Sequence, residues 1–317
     1  MLVTIVLAVA MMPPAASEIH SMQSKGPAPV SVVDSIRYWA GQLEQAGVFF
    51  GHGTDNAWDE AATLVLHAAS LDHDTPGAGD TRLTQAQLAQ IQDYFQRRIG
   101  EREPAAYITG EAWFAGLRLS VDRRVLIPRS PFAELILTDF MPWRSGAPVR
   151  RILEIGTGSG CIAIAAALQW PESQVVATDI SAAALDVARV NRATHGLEGR
   201  LSFVQAVLLA GISGHYDLII TNPPYVPAAE VPDLPAEYLH EPGLGLASGA
   251  DGLASARRIL QDAPPLLAPE GLLALEVGVG WPALEAAFPQ LPFLWPEFDA
   301  GGEGIALLAA ADLAAAQ

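Results

Sequence analysis

Four consecutive residues, Asn222-Pro223-Pro224-Tyr225, follow the apolar run Leu218-Ile219-Ile220 after a single threonine, where a buried strand is expected to end. Two prolines stop a strand, fix the backbone and remove N–H groups that would compete for nearby carbonyls. The side-chain oxygen of Asn222 and the carbonyl of Pro223 can each accept a hydrogen bond from a planar N–H2 group, on which Tyr225 can stack. The motif predicts methylation of such a nitrogen, in a glutamine amide or in the amino group of adenine or cytosine. A simple turn, the alternative interpretation, would not need the asparagine and the tyrosine together.

A glycine-rich loop, Gly156-Thr157-Gly158-Ser159-Gly160, follows the apolar strand pattern Arg151–Ile155 and precedes a helical pattern. Its glycines let the backbone approach a ligand closely at the carboxyl end of the strand. Dinucleotide-binding loops have the longer spacing G-x-G-x-x-G, which gives room for a pyrophosphate. The preceding Glu154 would repel a phosphate and can pair with an ammonium group. The loop therefore favours S-adenosyl-L-methionine, which has an ammonium, a sulfonium and no phosphate, over a nicotinamide dinucleotide.

Asp179 follows the next predicted strand, Gln174 to Thr178, and is placed to accept hydrogen bonds from ribose hydroxyls. The alternative interpretation is a helix-capping carboxylate beside Ser181. The candidate cofactor contacts are Glu154, Gly156, Thr157, Gly158, Ser159, Gly160, Asp179, Ile180, Ala206, Val207 and Asn222.

Strand and helix patterns alternate around these residues from Pro142 onwards, which predicts an α/β fold with a mostly parallel sheet covered on both faces. Phe293 to Phe298 and Ile305 to Leu308 are expected to form an antiparallel hairpin at one edge. Residues 128–317 are interpreted as the catalytic domain.

The first part of the chain has a different pattern. Apolar residues recur at helical spacing from Ser31, so residues 31–102 are predicted to form a small helical domain. Aromatic and β-branched residues alternate from Ala105 to Ile127, which predicts a β-hairpin linker over residues 103–127.

Composition limits the partners. Thirty-five acidic and 18 basic residues give a formal net charge of −17, which argues against nucleic acid and favours a basic macromolecule as partner. The single cysteine, Cys161, excludes an internal disulfide and a thiolate metal cluster, and fits a reducing cytoplasm. No metal is expected: His52 and His73 lie near aspartates, but no set of ligands has a recognisable spacing.

Residues 1–30 are interpreted as an unstructured extension or the result of a misplaced start codon. The apolar run from Met1 to Met12 has no basic residue before it, unlike an export signal, and is too short to span a bilayer. No membrane association is expected.

Taken together, the motifs resemble those of the N(5)-glutamine methyltransferases, a family that modifies class I release factors and a large-subunit ribosomal protein. The resemblance extends from about Ser31 to Leu308. It implies a seven-stranded, Rossmann-like class I S-adenosylmethionine methyltransferase domain, preceded by a small helical domain and a β-hairpin linker.

Within that family, the chain is similar to the branch that acts on ribosomal protein three of the large subunit, uL3. The release-factor branch typically carries Pro-Arg-Pro-Glu-Thr-Glu after the hairpin, where this chain has Pro128-Arg129-Ser130-Pro131-Phe132-Ala133-Glu134. Three further segments match the ribosomal branch: Gly51–Glu60, His240-Glu241-Pro242 and Glu297-Phe298-Asp299. The resemblance implies Asn222, Pro223, Pro224 and Tyr225 as catalytic residues, and Arg129, Asn222, Pro224, Tyr225 and Glu241 as substrate contacts.

One position departs from the family. An acidic residue usually follows the third strand and accepts from the adenine amino group, whereas this chain has Gln205-Ala206-Val207. Adenine recognition would then depend on backbone groups and on packing by Val207.

Other functions are compatible with parts of the pattern. A release-factor glutamine methyltransferase is the nearest alternative, and a nucleic-acid amino-methyltransferase could share both motifs, although the acidity disfavours it. A non-catalytic ribosome assembly factor would explain Ala206 but not the intact Asn222–Tyr225 motif. A nicotinamide-dependent oxidoreductase is disfavoured by the loop spacing.

Overall fold

A computed structural model of the chain describes residues 30–144, 146–299 and 301–315. The proposed N-terminal extension, residues 1–30, lies outside the described residues except at its last position. The chain divides into two compact units, one ending at Thr109 and the other beginning at Gly110.

Helices dominate the described part of the first unit, as predicted. Their bounds are α1 (Val32–Ala46), α2 (Ala57–Ala69), α3 (Gln85–Gly100) and α4 (Ala105–Thr109). Each of the first three begins at a polar cap: the side chains of Ser31, Asn56 and Thr84 accept from backbone N–H groups three residues ahead. Leucine, isoleucine, valine and aromatic side chains from these helices form one buried core. Within it, Arg98 donates to Glu60 at 2.6 Å, and both side chains are buried.

The β-hairpin begins later than the sequence predicts. Its strands are β1 (Glu111–Phe114) and β2 (Leu117–Ser120), joined at Ala115-Gly116, where both residues have positive φ. Ala105 to Thr109, expected to start the hairpin, instead form α4, so that part of the prediction is wrong. Pro104 explains the difference, because its carbonyl accepts from the N–H groups of Tyr107 and Ile108 and starts a helical turn.

The second unit is built on one main sheet. Its strands are β3 (Arg151–Ile155), β4 (Gln174–Asp179), β5 (Leu201–Gln205), β6 (Tyr216–Thr221), β7 (Leu267–Glu276) and β8 (Ile305–Ala309). Their spatial order is β5-β4-β3-β6-β7-β8, and all neighbours are parallel except β7 and β8. The predicted α/β fold with a mostly parallel sheet is confirmed.

Helices cover both faces of this sheet. They are α5 (Phe132–Leu137), α6 (Cys161–Gln169), α7 (Ala182–Thr194), α8 (Ala254–Asp262), α9 (Trp281–Ala287) and α10 (Ala310–Ala315). Successive strand residues point to opposite faces, so Ile152 joins the core beneath α5 and α6, whereas Leu153 joins the core beneath α8, α9 and α10. A sheet buried on both faces explains why its inner strands contain continuous apolar runs, such as residues 218–220 of β6 and 272–275 of β7.

The predicted edge hairpin forms only in part. β8 pairs antiparallel with β7, but between Phe293 and Phe298 only Leu294 pairs, as a single bridge to Leu307. Pro292 precedes this stretch and Pro296 lies within it, and proline cannot donate to a strand ladder. The described residues therefore contain six strands and one bridge in the main sheet, where seven strands were expected.

The sheet has a topological switch point between β3 and β6. From β3 the chain adds β4 and β5 on one side, and then returns to add β6, β7 and β8 on the other. Ligands of such sheets bind in the crevice at the carboxyl ends of the strands at this point. Here those ends lead into Gly156 and Asn222, and a Cβ built on Gly156 would lie 4.0 Å from the Asn222 carbonyl oxygen.

Candidate active site

The glycine loop is held against β4 by its own backbone. The N–H groups of Gly156 and Thr157 both donate to the carbonyl of Thr178, at 2.8 and 2.9 Å. Gly156, Gly158 and Gly160 all have positive φ, a region that side chains disfavour. The loop thus takes a course that only glycine follows without strain, as its sequence predicts.

Glu154 lies behind this loop and is buried. Its Oε2 accepts from the Thr157 hydroxyl at 2.5 Å and from the Ala163 N–H at 2.9 Å, which joins β3, the loop and the first turn of α6. Burial, with a contribution from the charge of Asp179, raises the pKa of Glu154 to about 8, against the lowering effect of these hydrogen bonds. Glu154 therefore braces the loop in addition to any contact with an ammonium group, and a neighbouring cation would favour its ionised form.

Asp179 connects the loop to the end of β4. Its Oδ2 accepts from the Gly158 N–H at 2.9 Å and its Oδ1 accepts from the Ser181 N–H at 2.8 Å. The side chain that caps α7 is that of Ser181, which accepts from the Ala184 N–H. Each carboxylate oxygen can accept a second hydrogen bond. The geometry is thus compatible with ribose binding by Asp179. Because Ser181 caps α7, helix capping does not explain why an aspartate stands at position 179.

The candidate adenine contacts lie beside Asp179, at the ends of β4 and β5. Ile180 and Val207 expose 45% and 59% of their surface, so both side chains offer apolar area to a ligand. The Ala206 N–H donates to the Asp179 carbonyl at 3.0 Å, so it is already engaged within the protein. Recognition of adenine in this region would depend mainly on apolar packing.

The Asn222–Tyr225 turn follows β6 and is anchored from both sides. Thr221 donates to the Ile155 carbonyl at 2.9 Å and so fixes the end of β6 to the end of β3. The Tyr225 ring packs on Gly278, where a Cβ would lie only 3.0 Å from the ring. Burial raises the pKa of the Tyr225 hydroxyl, and the charge of Glu276 adds to this effect.

Glu276, the last residue of β7, is a buried member of this site that the sequence analysis missed. It accepts from the Ser130 hydroxyl at 2.5 Å, and the side chains of Tyr225 and Asn222 lie close enough to lower the pKa of its carboxyl. Burial raises the pKa of Glu276 to about 7, although Ser130, Arg129 and the other donors lower it. The sequence did contain a signal: a carboxylate ends an apolar strand here, as Glu154 nearly does in β3.

Arg129 and Glu241, both predicted to contact substrate, pair with each other. The guanidinium donates to both oxygens of Glu241 at 2.6 Å, and the Ile127 N–H donates to the same carboxylate at 2.9 Å. The Glu241 side chain is completely buried, whereas that of Arg129 remains 27% exposed and lies over the Tyr238 ring. Glu241 is therefore a bracing residue in this structure, and only Arg129 retains a surface that a substrate could reach.

Asn191 is a second residue that the sequence analysis missed. This buried side chain on α7 accepts from the Ser120 N–H, and donates to the carbonyls of Ser120 and Ser159. It ties the hairpin to the glycine loop. Asparagine on an amphipathic helix is unremarkable in sequence, and its partners are 71 and 32 positions away, so nothing in the local pattern indicates this role.

Cys161, at the start of α6, has no features of a nucleophile. Burial, together with the charge of Glu154, raises the pKa of its thiol to about 12, so the reactive thiolate is scarce. Among the described residues, no group of three or more His, Cys, Asp or Glu side chains could hold a metal ion. Nor does the described part of the chain contain a helix with the length and apolarity to cross a membrane.

Two family models match the chain. Residues 34–110 match the PrmC N-terminal domain, and residues 133–241 match the Methyltransferase small domain.

Curated relatives match nearly the whole chain. The ribosomal protein uL3 glutamine methyltransferase of Xanthomonas campestris pv. campestris is 46% identical, over 92% of this chain and 92% of the relative. The protein of the same name from Bordetella pertussis is 48% identical, over 87% of this chain and 93% of the relative.

Among solved structures, the catalytic domain of hMettl16 in complex with MAT2A 3'UTR hairpin 1 is similar with a TM-score of 0.51. The match covers 87% of this chain and 91% of that chain, with 15% sequence identity. At this identity the likeness concerns the fold alone, which is that of a class I methyltransferase.

Proposed function

This chain belongs to the family of the ribosomal protein uL3 glutamine methyltransferases, and from that premise we propose that it methylates the side-chain amide nitrogen of a glutamine in uL3, with S-adenosyl-L-methionine as methyl donor. One observation carries the assignment of the site: the Asn222–Tyr225 turn and the glycine loop meet at the switch point of the sheet.

The residues at the ends of β3, β4 and β5 fit the proposed cofactor. The glycine loop offers close backbone approach, the Glu154 carboxylate would pair with the ammonium group, and Asp179 can accept from ribose hydroxyls. Ile180 and Val207 offer exposed apolar surface for adenine. When bound, the cofactor supplies an electrophilic methyl group on its sulfonium.

The residues at the end of β6 are proposed to orient the acceptor. An amide nitrogen is a poor nucleophile, because its lone pair is shared with the carbonyl group. Asn222 Oδ1 and the Pro223 carbonyl accept its two N–H groups and hold the nitrogen in line with the methyl carbon, while Pro224 and Tyr225 confine the amide plane. With S-adenosyl-L-methionine bound, its sulfonium would supply the methyl group to this nitrogen and leave as the thioether, and the nitrogen would lose one proton to solvent. Orientation and electrostatics account for the catalysis.

The substrate assignment has two supports. The relatives that match over nearly the full chain are named for uL3, and Ser130-Pro131 replaces the Pro-Glu that is typical of the release-factor branch. We also propose that residues 31–102 recognise the substrate protein. A modifier of ribosomal proteins meets them where they are made, which is the reason to propose a cytoplasmic location.

Labelled cofactor and three purified acceptors test the proposal: uL3, a class I release factor and DNA. Label should enter uL3, and mass spectrometry of the product should place one methyl group on a glutamine. Preferential labelling of the release factor would contradict the substrate but leave the chemistry intact. Labelling of DNA would contradict both.

A further inference from the structure

Asn191, on α7, is hydrogen-bonded both to the glycine loop and to the β1–β2 hairpin, and only 1% of the residue is exposed. Its Oδ1 accepts from the Ser120 N–H at 2.7 Å, and its Nδ2 donates to the carbonyls of Ser120 and Ser159, each at 2.9 Å. Both N–H groups of the side-chain amide are therefore used. A buried amide with these partners is fixed in position, and it fixes the three backbone groups that it contacts.

The three partners allow one orientation of this side chain. A backbone carbonyl can only accept and a backbone N–H can only donate, so the amine must face the two carbonyls and the oxygen must face the Ser120 N–H. An ionised aspartate has the same shape but no donor, and leucine has neither donor nor acceptor. These contacts account for an asparagine at position 191, although asparagine is a poorer helix former than alanine.

The bond to Ser159 acts on the last peptide unit of the glycine loop. The peptide that joins Ser159 to Gly160 is trans, so its carbonyl and its N–H point in opposite directions. The Ser159 carbonyl accepts from Asn191, and the Gly160 N–H donates to the Thr157 carbonyl at 2.9 Å. The plane of this peptide is thus held from both sides.

Packing of α7 supports the same restraint. Ala188 lies three residues before Asn191, on the same face of the helix. A Cβ built on Gly160 would lie only 3.3 Å from the Ala188 Cβ. The face of α7 that carries Asn191 is therefore in close contact with the end of the glycine loop.

A loop built from glycines needs such restraints to bind a ligand tightly. Gly158 and Gly160 have φ values of +55° and +83°, and glycine adopts many other conformations at similar free energy. Every conformation that cannot bind reduces the competent fraction of the protein and weakens the apparent affinity. Thr178 and Asp179 restrain the first part of the loop through its N–H groups, whereas Asn191 restrains the last part through a carbonyl.

We propose that Asn191 is a positioning residue of the cofactor site: it holds the Ser159–Gly160 peptide in the conformation that binds S-adenosyl-L-methionine. Because the same side chain is bonded to Ser120, the β1–β2 hairpin supports that site as well. The role needs no contact between Asn191 and the cofactor. It rests on the proposed cofactor site and not on the identity of the acceptor.

Titration calorimetry with S-adenosyl-L-methionine tests the effect on affinity. Asn191→Ala removes the bond to the Ser159 carbonyl and both bonds to the hairpin. We expect the Kd for the cofactor to rise about 5- to 30-fold, since the loss of a buried hydrogen bond changes an equilibrium constant by roughly this factor. Thermal unfolding without cofactor shows separately how much stability the variant loses.

His195, at the end of α7, provides the matched control. Its Nε2 lies 3.0 Å from the Arg118 carbonyl, so it too joins α7 to the hairpin, but within the described part of the chain it has no hydrogen bond to the glycine loop. His195→Ala should leave the Kd within about twofold of the wild type, because the bond that it removes does not restrain the loop. An equal rise of the Kd in both variants, or a wild-type Kd in Asn191→Ala, would show that Asn191 is merely structural and overturn the proposal.

Hydrogen exchange gives a second test, which begins with the wild type. If anchoring of the hairpin favours the binding conformation of the loop, cofactor binding must favour anchoring of the hairpin by the same factor. Saturating S-adenosyl-L-methionine should therefore slow amide exchange several-fold in residues 117–121, which include the Ser120 N–H. Helix α3, in the other unit, is the reference segment and should change little.

The variants then show whether Asn191 carries this effect. The slowing should disappear in Asn191→Ala at saturating cofactor and persist in His195→Ala. Exchange in the hairpin that does not respond to cofactor in the wild type, or that responds equally in Asn191→Ala, would overturn the proposal. A chain that meets both tests but does not methylate uL3 would keep Asn191 in this role and reject only the acceptor, whereas a chain that does not bind S-adenosyl-L-methionine would reject both.

Discussion

The Asp179 carboxylate holds the glycine loop and is also proposed to bind the ribose, so its substitution tests the cofactor site more directly than that of any other single residue named above. Its oxygens already accept from the glycine loop and from Ser181, and the proposal adds ribose hydroxyls. Asp179→Ala removes all of these bonds, whereas Asp179→Asn keeps one acceptor oxygen.

We expect Asp179→Ala to weaken cofactor binding by at least about tenfold in titration calorimetry, because hydrogen bonds to a charged group contribute about 1.5–3 kcal/mol. Asp179→Asn should fall between this variant and the wild type. If Asp179→Ala bound the cofactor with wild-type affinity, Asp179 would not be part of the cofactor site.

Glu154 gives a prediction about pH. Its carboxyl has a pKa of about 8 in the folded chain, compared with an ordinary value of 4.5, so the folded state holds the proton more tightly than the unfolded state. The resulting stabilisation is fully present below about pH 4.5 and is lost as the pH rises through about 8. Glu154→Gln cannot ionise and should lack this loss.

Thermal unfolding without cofactor at pH 6 and pH 9 is the measurement. The wild type should lose more stability between these pH values than Glu154→Gln does, while Glu270→Gln, at an exposed position of β7, should behave as the wild type. An identical pH dependence in wild type and Glu154→Gln would mean that the Glu154 carboxyl is ionised throughout. The same variant should bind cofactor more weakly if Glu154 pairs with the ammonium group.

At the residue scale, the sequence predicted where single groups lie beside their own strands and missed the contacts between groups that are distant in the chain. The glycine loop, Asp179 and Asn222 each follow an apolar strand directly, so their place at the sheet edge is readable. Ser130 and Glu276 are 146 positions apart, and Arg129 and Glu241 are 112 apart. Only the folded chain shows that these side chains are hydrogen-bonded to each other.

At the scale of elements, the sequence predicted the type and position of long periodic segments but not those of the segments next to prolines. The strands that lead into the glycine loop and the Asn222 turn lie where their apolar runs predict. The two errors, the hairpin start at Ala105 and the edge strand from Phe293, both lie beside prolines. In the first, a proline carbonyl starts a helical turn; in the second, the prolines remove strand donors.

Gly160 controls how closely α6 packs on α7. Its φ is +83°, and a Cβ there would lie 3.3 Å from Ala188 Cβ and Ile164 Cδ1. We expect Gly160→Ala to lower the free energy of unfolding by about 1–3 kcal/mol, from backbone strain and overpacking together. Urea denaturation is the measurement.

Gly199→Ala is the control for Gly160→Ala, because a Cβ at this exposed turn meets nothing within 4 Å. It should change stability little. A comparable loss in both variants would indicate a general cost of replacing glycine rather than close packing of the two helices.

At the scale of the whole molecule, net charge governs encounter with the proposed substrate. The chain carries −17, and ribosomal proteins are rich in Lys and Arg, so the two attract each other at low salt. The field acts over a Debye length of about 10 Å at 0.1 M salt, and about 3 Å at 1 M, so added salt removes most of the long-range attraction. The proposed chemical step takes place at the half-buried Asn222–Tyr225 turn, where salt screens charges less than at the exposed surface.

Because salt weakens long-range attraction but acts little on the chemical step, we expect it to change kcat/KM and kcat differently. Raising the salt concentration should lower kcat/KM for uL3 several-fold, since electrostatic steering acts on association, while kcat at saturating uL3 should change little. A short acceptor peptide with the same glutamine but without Lys or Arg should show no such fall in kcat/KM, which controls for effects of salt on the enzyme itself. Equal salt dependence for uL3 and the neutral peptide would mean that the acidity of this chain does not steer its substrate, and that recognition depends on local contacts alone.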